Sequence, residues 1–242
     1  MTLALAGIVF AAFAIEAAAG FGATIVTVTL AAQFLPVERV LAALVPVNLA
    51  LSSYIVARHR RAVDRRLLVR RILPWMGAGV AVGLALFQLR HLGFLRLAFA
   101  AFVVALAAVE LWRARHAAAA RPLSGAGWAA TLLGAGVIHG LFACGGPLAV
   151  YAIGRELEDK SRFRATLSAL WLVFNAVLIV GYLAGGVVGP STMRDSAILV
   201  PSLVLGIVIG ELVHRHVSEA RFRVAVHVLL LAAGIALLAR SL

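Results

Sequence analysis

The sequence predicts an all-α, polytopic integral membrane protein, and three observations point there. The 242-residue chain is 63% hydrophobic and 13% charged, whereas soluble domains carry about 25% charged residues and are roughly half apolar. The apolar residues fall into eight segments, at about 3–34, 40–57, 72–89, 94–112, 127–153, 165–188, 197–213 and 222–239. About 20 apolar residues cross a bilayer as a helix. All but two of the 22 Lys and Arg residues, which against 10 acidic residues give a net charge of +12, lie between those segments rather than in one basic domain, as membrane loops require. The expected partner is therefore the lipid bilayer and not a nucleic acid.

Taken in order, segment 3–34 is too long for one simple span and is broken at Gly20-Phe21-Gly22. It has no basic region at its start, so it reads as an uncleaved membrane element rather than a signal peptide. Segment 40–57 follows Arg39 and carries Asn48, Ser52 and Ser53. The loop 58–71, RHRRAVDRRLLVRR, holds seven arginines and belongs in the cytoplasm. Segments 72–89 and 94–112 each suit one helix. Segment 127–153 is again too long, and is broken at Gly145-Gly146-Pro147. Segment 165–188 follows Arg162 and carries Thr166, Ser168 and Asn175, and 197–213 and 222–239 complete the set.

The chain repeats itself. Pro74-x4-Gly79-x3-Gly83 recurs as Pro201-x4-Gly206-x3-Gly210, an offset of 127 that also carries Arg96 onto Arg223 and Arg113 onto Arg240. Earlier in each half the offset is 123: Gly22 falls on Gly145, Arg39 on Arg162, Ala42 on Ala165 and Leu44 on Leu167. Residues 1–120 and 121–242 are thus expected to be two transmembrane repeats of one membrane domain.

Charge sets their orientation. If 127–153 crosses once, 12 Lys/Arg lie inside and 10 outside, almost no bias. If it enters and returns to the same side, 17 lie inside and five outside, as the positive-inside rule demands. Each half then makes an odd number of crossings, so the repeats are inverted. Irregular backbone at membrane depth persists only where protein buries it or a cavity receives it. Breaks at matching places in inverted halves point to a substrate site near the midplane of a secondary transporter.

The residue types at the breaks suit a small anion. Pro147 fits the first turn of a helix, where its missing N–H costs nothing. Gly145 and Gly146, beside Cys144, then offer backbone N–H groups at a positive helix end. In the first half Gly20, Phe21, Gly22, Ala23 and Thr24 take the same place, with Thr24 expected to cap the helix that follows through its hydroxyl. Asn48, Ser52 and Asn175 either line the same cavity or hydrogen-bond between helices. Glu16 and His139 each lie six residues before a break glycine, and are candidates to carry a coupled proton. Arg39 and Arg162 begin equivalent segments and either steer anions or anchor the helices at the interface. The single cysteine excludes an internal disulfide and a C-x-x-C metal motif. No G-x-S-x-G or H-E-x-x-H motif is present, so neither an enzyme nor a cofactor or metal is expected.

The order of these features resembles the sulfite exporter TauE/SafE family of bacterial membrane transporters over nearly the whole chain. The resemblance rests on A-G-F-G-A-T at 19–24, E-R-V-L-A-A-L at 38–44, the arginine-rich loop and P-x4-G-x3-G, with A-C-G-G-P at 143–147 and S-R-F-R-A-T-L-S-A-L at 161–170 as the second copy. It implies an inner-membrane, multi-pass transporter that moves sulfite, a sulfonate or a related sulfur-containing organic anion by alternating access, with room for proton coupling and a homodimer. An anion channel and a non-transporting membrane scaffold remain the competing readings.

Overall fold

The computed structural model describes residues 2–19, 22–89, 94–115, 123–157, 159–214 and 219–241, and among them every regular element is helical. The first apolar segment forms α1 (Thr2–Ala19) and α2 (Ala23–Ala31), and α3 runs Val37–His59. A short turn, α4 (Arg65–Leu67), passes through a π turn at Leu68–Ile72 into α5 (Leu73–Phe87). Pro74 explains the π turn. It has no N–H for the carbonyl of Arg70, and its ring would clash there in a regular α-helix. The chain opens by one residue instead, and Leu73 N–H bonds back to Leu68 O. Then follow α6 (Phe94–Arg115), α7 (Gly125–Phe142), α8 (Gly146–Ile153), α9 (Lys160–Ala184), α10 (Pro190–His214) and α11 (Glu219–Ala239). Six stretches are long and apolar enough to cross a membrane, including Val37–Ala62, Arg65–Phe87 and Gly125–Phe142, with shorter apolar helices at Leu5–Ile15 and Val226–Ala239.

The chain forms two compact units. One comprises residues 1–41, 90–119 and 194–242, and the other 42–89 and 120–193. Each takes helices from both halves of the sequence.

In the second unit, α5 and α7 cross with their backbones in contact. A Cβ added to Gly79 would lie 2.9 Å from Gly136 Cα, and one on Gly83 would lie 2.8 Å from Gly140 Cα. Small residues four apart on both helices permit this approach. Around the crossing Ile72, Met76, Leu132, Ile153, Leu170 and Phe174 form a buried core.

In the first unit α11 packs on α6, where a Cβ on Gly234 would meet Val103 Cγ1 at 3.0 Å. Gly206 of α10 faces α1, where its Cβ would meet Phe13 Cβ at 3.0 Å and Ala14 N at 3.1 Å. The sequence offsets carry one crossing onto the other: Gly79 onto Gly206, and Phe13 and Ala14 onto Gly136 and Val137. Gln33 Nε2 donates to Ala233 O at 3.0 Å and ties the end of α2 to α11.

Candidate functional site

The segment 127–153 folds back on itself. Arg71, at the end of the arginine-rich loop, holds both ends of the fold. Its guanidinium lies 4.7 Å from the ring centre of Trp128, at the start of α7. It also forms a two-pronged ion pair with Glu156, just beyond α8, at 2.8 and 3.2 Å. Asp64 of the same loop accepts from Arg162 at 2.8 Å, and its N–H donates to the Thr166 hydroxyl at 3.0 Å. The loops 58–71 and 154–164 therefore share one end of this unit, and α7 and α8 form a hairpin that leaves and returns to that end.

The turn of the hairpin is made at Ala143–Gly145. Ala143 adopts the left-handed conformation (φ 52°) and its N–H returns to His139 O at 2.8 Å. For a residue with a Cβ this conformation costs roughly 1–2 kcal/mol. Pro147 sits in the first turn of α8, and Gly145 is its N-cap. Three helices that start in loops have side-chain caps. Asp64 accepts from Leu67 N, Ser124 from Gly127 N and Asp159 from Arg162 N. The two that start at breaks, α2 after Gly22 and α8 after Gly145, have glycine N-caps and no side-chain cap. The first amides of a helix have no intrahelical partner, and at the start of α8 no capping side chain satisfies them.

His139 lies one turn before the break. The residue is 3% exposed; its ring stacks on Trp171 at 5.2 Å and 20°, and meets Phe174 tilted at 52° and 6.0 Å. Neither ring nitrogen has a hydrogen-bond partner among the described residues. Trp171 reaches from that ring to the start of α8, where a Cβ on Gly146 would meet its Cζ2 at 3.9 Å. Asn175, one turn further along α9, is also buried with its Oδ1 unpartnered.

A family model for the sulfite exporter TauE/SafE family matches residues 4–237. The chain belongs to the sulfite exporter TauE/SafE family. It is 31% identical over 170 residues, 69% of either chain, to the probable inner membrane transporter protein TsaS of Comamonas testosteroni. No solved structure matches. With six candidate spans, this TauE/SafE chain is a multi-pass inner-membrane transporter.

The two break glycines of the family chain differ in kind. A Cβ on Gly145 would lie 2.8 Å from His139 Cβ and 3.2 Å from Met76 Cε. Gly145 is thus bare because α7 passes against it, not to leave room for an anion. Ala143, Cys144 and Gly145 are buried, whereas Gly146, Pro147 and Leu148 are half-exposed. Approach to the amides is at Gly146.

In the first unit Gly22 is left-handed (φ 108°) and Ala23 is buried. The expectation that Thr24 caps the following helix does not hold. The N-cap is Gly22, and Thr24 lies two residues beyond it, inside α2. Gly20 and Phe21 lie outside the described residues, as does the side chain of Glu16. On α3, Asn48 is half-buried and Ser52 buried, while Ser53 donates to its own helix at Leu49 O. Both arginines proposed for steering are in ion pairs: Arg39 with Asp195 at 3.3 Å in the first unit, and Arg162 with Asp64 in the second. Sequence reasoning passed over Trp171, although the 123-residue offset places it on Asn48, and places Asn175 on Ser52.

Proposed function

We propose that this chain carries a small sulfur oxyanion, sulfite or a sulfonate, across the inner membrane by alternating access. The observation that carries the reading is the unpartnered, buried imidazole of His139 beside the uncapped start of α8. An unpaired buried polar group costs roughly 1–3 kcal/mol, and that cost is offset if an anion accepts from the ring N–H while the α8 amides hold its other oxygens. Trp171 stacks on that ring and also lies against the start of α8. The relative's printed name, a probable inner membrane transporter, supports the transport class, and the family's description supports the sulfur oxyanion. Gly22 is likewise a glycine N-cap, at the start of α2, and the reading gives it the same role within its own unit. Uptake of a proton by His139 would add a positive charge beside the anion, so that each ligand favours the other; Glu16 is the second candidate for that coupling.

The test is radiolabelled sulfite flux into proteoliposomes, with and without a pH gradient. Wild type is expected to transport, His139→Phe to lose flux at least tenfold, and His139→Gln to keep anion exchange while losing the response to the gradient. A correctly folded wild-type protein that moves no sulfite or sulfonate overturns the reading.

A further inference from the structure

The loop between α3 and α5 holds Arg58, Arg60, Arg61, Arg65, Arg66 and Arg70, all exposed. The acids near them are already engaged. Asp64 is paired with Arg162, Glu156 with Arg71, and Asp159 caps α9. Among the described residues none of those six arginines has an acidic partner. They surround two shallow hollows. Arg65, Arg66, Val69 and Arg70 line one of about 580 Å³, and Arg60, Arg61, Val63 and Arg65 line one of about 460 Å³. The first hollow lies where α4 runs into the π turn at 68–72. Arg65 and Arg66 come from α4, and Val69 and Arg70 from the π turn. Arg65 belongs to both hollows.

We infer that this surface is a binding site for a phospholipid with two phosphodiester groups, one in each hollow, with Arg65 bridging them. Guanidinium groups match phosphate oxygens in a two-pronged, charge-assisted geometry that an ammonium does not reproduce. Two adjoining basic hollows with a shared arginine suit two phosphates on one glycerol better than a single headgroup. The apolar residues argue for a lipid over a soluble polyanion. Each hollow has a valine wall, Val69 is 58% exposed, and Trp75 is 47% exposed. Trp75 lies about 7–8 Å along the helix from Arg70. Glycerol and acyl chains would cover these groups, and a nucleic acid would leave them wet. The inference needs nothing from the transport reading.

Full-length protein in nanodiscs containing equal cardiolipin, phosphatidylglycerol and phosphatidylcholine, released into a native mass spectrometer, tests it. Wild type should retain cardiolipin in preference to phosphatidylglycerol. Arg65→Lys keeps the loop's charge, and hence the orientation of the protein, yet should lower that preference by roughly fivefold, the worth of about one basic contact at a membrane surface. Arg58→Lys, outside both hollows, should leave it unchanged. Arg66→Gln/Arg70→Gln should retain cardiolipin no better than phosphatidylglycerol. Equal retention of the two anionic lipids by wild type, an Arg65→Lys protein that matches Arg58→Lys, or displacement of the lipid by an RNA oligomer at equal phosphate concentration overturns the inference.

Discussion

A methyl group on Gly145 would lie 2.8 Å from His139 Cβ, whereas one on Gly146 would meet Trp171 no closer than 3.9 Å. Two adjacent glycines therefore separate folding from binding. Gly145→Ala is expected to destabilise the protein by about 1–3 kcal/mol, the usual cost of overpacking, measured as a lower unfolding temperature in detergent. Gly146→Ala should unfold with wild type and still reduce sulfite flux, because its methyl stands over the α8 amides. In the sequence both positions read simply as glycine in a break. Which of the two is packed shut depends on where the α7 backbone passes, and no spacing along the chain reveals that. The same holds for His139. Its place six residues before Gly145 was visible, but that both its nitrogens lack partners depends on Trp171 and Phe174 arriving from α9.

The hairpin of α7 and α8 is the element on which the site depends, and Arg71 joins its two ends through Trp128 and Glu156. Both contacts are partly exposed. An exposed ion pair contributes about 0–1 kcal/mol and a cation–π contact at such a site about 0.5–1 kcal/mol. Arg71→Ala should thus cost about 1–2 kcal/mol in a denaturant titration, and Arg71→Lys distinctly less. Equal unfolding of Arg71→Ala and wild type would show that the hairpin ends are held by the buried core alone. The arginine count favours a segment that returns to its own side, because charge is read by the membrane before any tertiary contact forms. The start of α8 at Gly146-Pro147 was legible for a similarly local reason, as proline belongs to a first turn. The cap of α2 was not, since the N-cap is Gly22 and Thr24 lies two residues beyond it.

At the scale of the whole molecule, the two halves related by the sequence offsets are not the packing units. Gly79 and Gly83 of the first half find Gly136 and Gly140 of the second, and Gly206 of the second half finds Phe13 of the first. The offsets of 123 and 127 were readable because glycine, proline and arginine stand out in an apolar background. The exchange of helices was not, because a glycine stripe shows that a partner comes close and not which helix it is. Fragments 1–120 and 121–242 should accordingly co-purify when expressed together and fail to accumulate when expressed alone; a stable, helical 1–120 fragment would contradict the exchange. The central claim is that the second broken segment enters from the cytoplasm and returns there. Its most direct test is labelling by a membrane-impermeant maleimide of single cysteines at Arg61 and Ser161, on a Cys144→Ser background. The account predicts that both react in inverted vesicles and neither in right-side-out vesicles. A cysteine at 161 that reacts only from the periplasmic side would contradict it.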